Sequence, residues 1–242
     1  MALAAGHDLY LRGTATLLAA WEAYAQGSDG GALRRLPGVA AAVFPRGPER
    51  AVYNNALVER GLGAAERAAA VDAMDAAYRA AGVDRYAAWV HESDEGMRAE
   101  LTGRGYTIAE STRAMGMTLD DLPAEDPGVE IAEADLAEHV RMIAVPGLLS
   151  RADSSAFHVL VAGESACTGF AFDHQNDCGV FNVSTLEGAR RRGLGTALTV
   201  RLLHDGAARG CTTASLQSTP IAEGLYARVG FRDLGRILEF VP

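Results

Sequence analysis

Apolar residues fall into two patterns along the chain: helical stripes and short unbroken runs. Val71, Met74, Tyr78 and Ala81 share one face of a helix predicted over 64–81, and Gly82 stops it. Leu194, Ala197, Leu198 and Leu202 do the same for a helix over 194–207. Further helices are predicted at 7–25, 95–102, 135–145 and 222–229. Apolar runs predict strands at 39–44, 51–57, 86–91 and 113–119 in the first half. In the second half they fall at 129–131, 157–161, 166–173, 180–185, 212–216 and 237–241. Strands interleaved with helices give a mixed α/β fold.

One segment breaks the pattern. Asp120-Asp121-Leu122-Pro123-Ala124-Glu125-Asp126-Pro127-Gly128 is acidic, carries two prolines and has little to pack, so it reads as a linker. It divides the chain into expected domains 1–122 and 129–242. The halves share a rhythm. Glu100-Leu101-Thr102-Gly103-Arg104-Gly105-Tyr106 and Leu225-Tyr226-Ala227-Arg228-Val229-Gly230-Phe231 each end a helix on glycine and restart on an aromatic residue. A strand and a long helix precede both, which suggests duplication.

Composition narrows the function. No apolar run reaches the ~18 residues of a membrane span, and no basic leader precedes the first helix. Three widely spaced cysteines, Cys167, Cys178 and Cys211, form neither a disulfide framework nor a metal cluster, so the expectation is a cytoplasmic protein without a metal. The net charge of −9 disfavours nucleic acid or an anionic membrane and suits an amine-bearing substrate. All 22 basic residues are arginine. Schiff-base chemistry and a P-loop lysine are therefore excluded.

The segment richest in chemistry is Asn182-Val183-Ser184-Thr185-Leu186-Glu187-Gly188-Ala189-Arg190-Arg191-Arg192-Gly193-Leu194-Gly195-Thr196. A strand runs into a basic, glycine-punctuated loop that opens a helix. Gly193 and Gly195 let backbone approach a bulky ligand, and the helix start offers free N–H groups and the positive end of its dipole. Arg190, Arg191 and Arg192 add fork-shaped cationic donors. These are the parts of a pyrophosphate cradle. A Walker loop is ruled out by the missing lysine, and a dinucleotide fingerprint by the missing GxGxxG.

The segment resembles the GNAT superfamily of acyl-CoA-dependent N-acetyltransferases, whose pyrophosphate loop reads Arg/Gln-x-x-Gly-x-Gly/Ala. Arg190, Gly193 and Gly195 match it position for position. Leu216-Gln217-Ser218-Thr219 followed by Leu225-Tyr226-Ala227-Arg228-Val229-Gly230-Phe231 is similar to the family's second signature, with Thr219 where asparagine or serine is common. The match covers about 157–241. It implies two GNAT-like units, each a mixed, mostly antiparallel sheet flanked by helices, the first having lost its site. Arg60-Gly61-Leu62-Gly63-Ala64 superficially copies the loop, but Val58 and Glu59 stand where Arg190 and Arg191 do, and Leu101 where Tyr226 does.

The resemblance also implies a mechanism. Acetyl-CoA lies between splayed strands, with its pantetheine paired to backbone groups of Val183 and Thr185. The N–H groups from Arg191 through Leu194 to Thr196 hold its pyrophosphate, and Thr219 lies beside it. An amine attacks the thioester directly. Tyr226, with an ordinary phenol pKa near 10, protonates the leaving thiolate. Asp177 is the candidate general base, ahead of His174 and His158; Cys178 reads as a core residue. The expected enzyme is a cytoplasmic acetyltransferase, monomer or homodimer, acting on a primary amine of a small molecule. Protein lysine or N-terminal acetylation, and a non-catalytic acyl-CoA sensor, stay open beside it.

Overall fold

A computed structural model of the chain describes residues 2–46, 54–143 and 156–242. In chain order the elements are α1 (Ala2–Gln26), β1 (Ala32–Leu36), β2 (Val39–Val43), β3 (Asn55–Val58), α2 (Ala64–Ala80), β4 (Ala87–His91), α3 (Glu95–Gly103) and β5 (Thr107–Thr118). They continue with β6 (Ile131–Ala134), α4 (Leu136–Ile143), β7 (His158–Ala162), β8 (Cys167–His174) and β9 (Asp177–Thr185). The last are α5 (Leu194–Ala208), β10 (Thr213–Ser218), α6 (Glu223–Val229) and β11 (Arg232–Val241). Residues 51–53 of the expected strand 51–57, and 144–145 of the expected helix 135–145, lie outside the described residues.

The chain forms two compact units, and they do not follow the linker. The major unit takes Met1–Ala20 and Ala114–Leu234; the minor unit takes Trp21–Arg113 and Gly235–Pro242. Helix α1, β5 and β11 therefore each contribute to both. A division into 1–122 and 129–242 misses this exchange. Nothing local in the sequence marks it, because a strand's partner is chosen by tertiary contacts.

In the major unit β6, β7, β8 and β9 pair antiparallel in turn, and β10 joins β9 in parallel. The end of β5 neighbours β10, where Leu119 N–H donates to Thr212 C=O. In the minor unit β1, β2 and β3 pair antiparallel, β4 joins β3 in parallel, and β11 joins β4 antiparallel. Each unit is thus a mostly antiparallel sheet with one parallel step, and a helix crosses over that step: α5 in one, α2 in the other.

The apolar stripes do what their periods require. Leu198, Leu202 and Leu203 of α5 are fully buried against Cys178, Val180, Ala214 and Leu216, each worth about 1.5–3 kcal/mol. Met74 and Tyr78 of α2 are buried over Val39, Ala41 and Ala88. On the other face of the major sheet, α1 lies unusually close. A Cβ at Gly13 would fall 2.8 Å from Ser215 Cβ, and one at Gly179 2.7 Å from Thr16 Cγ2. Glycine on both surfaces is what lets helix and strands approach.

Candidate active site

The site begins with a mismatch between two parallel strands. β9 and β10 pair only at Asp177–Thr213, Cys178–Ala214 and Gly179–Ser215. Both run on, β9 to Thr185 and β10 to Ser218. A bulge in β9 drives them apart. Thr168 pairs with Ser184 and Phe170 with Phe181, so Asn182 and Val183 together oppose Gly169. Asn182 has φ +51°. A bulge bends its strand and resets which face each residue takes. Cys178 and Val180 sit on the α5 side before it, and Val183 and Thr185 regain that side after it, close to Gly195.

Beyond Thr185 the chain turns through Glu187–Ala189, buries Ala189, and folds back through a bond from Arg190 Nε to the Thr185 carbonyl of 3.3 Å. Arg190, Arg191 and Arg192 are exposed. Gly193 caps α5 at φ +81°, a left-handed conformation that favours glycine. A Cβ there would meet nothing within 4 Å. The first bond of the helix runs from Ala197 N–H to Gly193 C=O. Among the described residues no backbone carbonyl accepts from the N–H groups of Leu194, Gly195 or Thr196, and α5 has neither a capping side chain nor an acid in its first turn. This leaves a concave set of unfilled donors at a positive helix end.

The corresponding loop of the minor unit is filled. Gly63 N–H donates to Glu66 Oε2 at 2.7 Å and Gly61 N–H to Asp94 Oδ2 at 3.2 Å. Two of the chain's own carboxylates thus occupy donors that an anion would need. Leu198 stands three residues after Gly195, where Glu66 stands three after Gly63. The strands differ as well: β3 ends at Val58, one residue past its last pair with β4, so no gap opens.

Tyr226 of α6 is buried, with its ring edge-on to Phe231 at 5.9 Å. Its hydroxyl makes no hydrogen bond with a described residue. Burial pushes the phenol up to about 12, with a smaller contribution from Cys167. Cys167 pairs across the ladder with Thr185, whose hydroxyl donates to its sulfur at 3.2 Å. Tyr226 is thereby associated with the open end of β9. Thr219 is exposed just past β10, its carbonyl accepting from Ala222 N–H.

Asp177 does not join this group. It lies at the opposite, paired end of β9, fully buried, and accepts from Thr16 Oγ1 at 2.7 Å, Thr213 Oγ1 at 2.7 Å and Ser215 Oγ at 2.6 Å. Its oxygens are occupied, and its geometry ties α1 to both strands rather than offering a base. The expectation came from its proximity in sequence to Gly179; the hydroxyls that hold it are distant in sequence.

Two polar residues were missed. Gln217 Oε1 is buried without a partner among the described residues, on the β10 face shared by Thr213 and Ser215. Its signal is the alternation of polar 213, 215 and 217 with core 214 and 216. His139 of α4 is fully buried edge-on to Phe170, which stacks on Phe181. Thr168 Oγ1 gives its proton to the Leu160 carbonyl, so His139 Nδ1 donates to Thr168 at 2.9 Å. Burial lowers this imidazole to about 4. As pH falls from ~6.5 to ~4, the unfolded chain takes a proton that the folded one refuses, a loss on the order of 3 kcal/mol. His139→Gln should therefore show a flatter Tm against pH over that range than the parent; equal slopes would refute the assignment.

Residues 123–231 match the family model described as Acetyltransferase (GNAT) family. Those residues form a GNAT acetyltransferase domain. The match takes in the bulged strand, the open loop, α5 and Tyr226. No curated protein is significantly similar to the chain in sequence. Solved structures share its fold. A GCN5-related N-acetyltransferase from Kribbella flavida is 19% identical, with a TM-score of 0.70 over 93% of this chain and 94% of its own. One from Sphaerobacter thermophilus is 18% identical, with a TM-score of 0.61 over 85% and 76%. A tandem GNAT protein from the clavulanic acid biosynthesis pathway is 14% identical, with a TM-score of 0.57 over 84% and 78%. The matched region is thus an acetyltransferase domain of GNAT type, and the chain shares the fold of these structures. No helix among the described residues is long and apolar enough to cross a membrane, and none of their His, Cys, Asp and Glu side chains gather into a metal-binding group.

Proposed function

We propose that the major unit transfers an acetyl group from acetyl-CoA to a primary amine of a small molecule. The observation that carries this reading is the unfilled N–H cradle at the head of α5, placed where β9 and β10 part. Its donors fit a pyrophosphate: Gly193 leaves open space in front, and Arg190, Arg191 and Arg192 supply charge. The free edge of β9 at Val183 and Thr185 suits backbone pairing with an extended pantetheine arm. Acetyl-CoA, when bound, supplies an activated acyl carbon on a thioester. Tyr226 stays protonated throughout the physiological range and donates to the leaving sulfur. Gln217 projects from the face opposite α5 and suits acceptor contacts. Burial raises the Cys167 thiol, and the bond to Cys211 together with burial raises Cys178. This favours direct attack by the amine over an acyl-cysteine.

The minor unit, with the same order of strand, helix, strand and helix, is proposed as a GNAT-like unit that has lost its site. The solved tandem GNAT protein lends this arrangement a precedent. Calorimetric titration should give one acetyl-CoA per chain, because Glu66 and Asp94 block the second loop. Two per chain would overturn that assignment. Release of free thiol from acetyl-CoA in the presence of a panel of small amines tests the activity. Thiol release only with peptides would redirect the reading to protein acetylation, and tight binding without turnover would make the unit a sensor.

A further inference from the structure

The minor unit holds a second group of polar residues that its fold does not satisfy. Glu239 of β11 is only 8% exposed. No hydrogen bond or ion pair from a described residue reaches its carboxylate. Its antiparallel ladder partner is Trp89 of β4, so the two side chains share one face. Trp89 is likewise 8% exposed, and its Nε1–H is buried without an acceptor among the described residues. Trp21 meets Trp89 edge-on, with ring centroids 5.4 Å apart. On β5, the neighbour of β11, Glu110 is exposed and near enough to repel Glu239. Thr112, two residues along on the same face of β5, has a buried Oγ1 without a partner among the described residues.

A buried carboxylate without a counter-charge costs several kcal/mol, and unfilled buried donors add to the cost. Burial, and Glu110 after it, raise Glu239 to about 7. Buried groups shifted in this way cluster at binding sites. Two acids on one face reject a carboxylate or phosphate and attract a cation. Indole rings bind organic cations through their faces. The indole N–H, which only donates, and the threonine hydroxyl both suit a neutral oxygen. We infer that the minor unit binds an organic ammonium ion carrying a neutral oxygen, with Glu239 and Glu110 as its counter-charge and Trp89, Trp21 and Thr112 as its walls.

The chain has two tryptophans, and both belong to this group. Intrinsic fluorescence of the full chain therefore reports the site without a label. The probes are 4-amino-1-butanol against 1,4-butanediol, and choline against 3,3-dimethyl-1-butanol; each pair differs chiefly in charge. Both ammonium compounds should give a saturable change, with at least one bound tenfold or more tighter than its neutral isostere. Glu239→Gln should level that pair. Glu110→Gln, at an exposed position that leaves folding intact, should weaken the ammonium compound several-fold. No ammonium-specific signal in the parent protein overturns the inference. So does unchanged ammonium binding in Glu110→Gln together with Glu239→Gln, or in Glu110→Gln alone if Glu239→Gln fails to fold. Acetyl-CoA is absent throughout, so the outcome is independent of acetyl transfer by the major unit.

Discussion

Gly193→Asp should weaken acetyl-CoA binding by well over tenfold while the protein stays folded. Asp is among the few residues that enter the left-handed region at modest cost. It is also a strong helix cap, and its carboxylate can take the N–H groups of the first turn of α5. The substitution would thus put the major loop in the condition of the minor one, where Glu66 and Asp94 already hold the donors of Gly63 and Gly61. A negative charge would also face the phosphates. Calorimetry for binding and a thermal melt for folding check the two halves of the expectation. Normal acetyl-CoA binding by a folded variant would mean that the loop is not the cradle.

Tyr226→Phe should lower kcat by about 10²-fold, the lower end for a positioned proton donor. Acetyl-CoA affinity should hardly change, since the phenol acts on sulfur as the C–S bond breaks. The ring is packed against Phe231, and phenylalanine keeps that contact. The hydroxyl makes no hydrogen bond with a described residue, so its removal leaves no described group unpaired. Stopped-flow measurement of thiol release would separate chemistry from product loss. An unchanged chemical step would remove Tyr226 from the mechanism.

Much of this was legible in the sequence, for physical reasons that differ by element. Helices α2 and α5 announce themselves because one face of each is buried and the stripe shows. The loop at 190–196 is readable because glycine and arginine there serve a local geometry. β1 was missed because its Arg34 and Arg35 face solvent and break the apolar run. β5 begins six residues before the expected strand, at Thr107, because its first part is polar and exposed. Asp177 misled because a buried aspartate and a catalytic one look alike until the hydroxyls of Thr16, Thr213 and Ser215 are placed around it. Glu239 could not be singled out at all. Its isolation is a property of the neighbours it lacks.

The exchange of segments between units bears on how the protein is made. The minor unit is nearly complete in sequence by Arg113, yet its last strand lies in Gly235–Pro242. During synthesis β4 must wait with one edge unpaired while about 120 further residues emerge, on the order of ten seconds at ribosomal rates. Exposed strand edges invite pairing with other chains. The nascent protein therefore passes through a window in which its N-terminal half is most prone to aggregate. A stop codon placed shortly before Gly235 would prolong that window indefinitely.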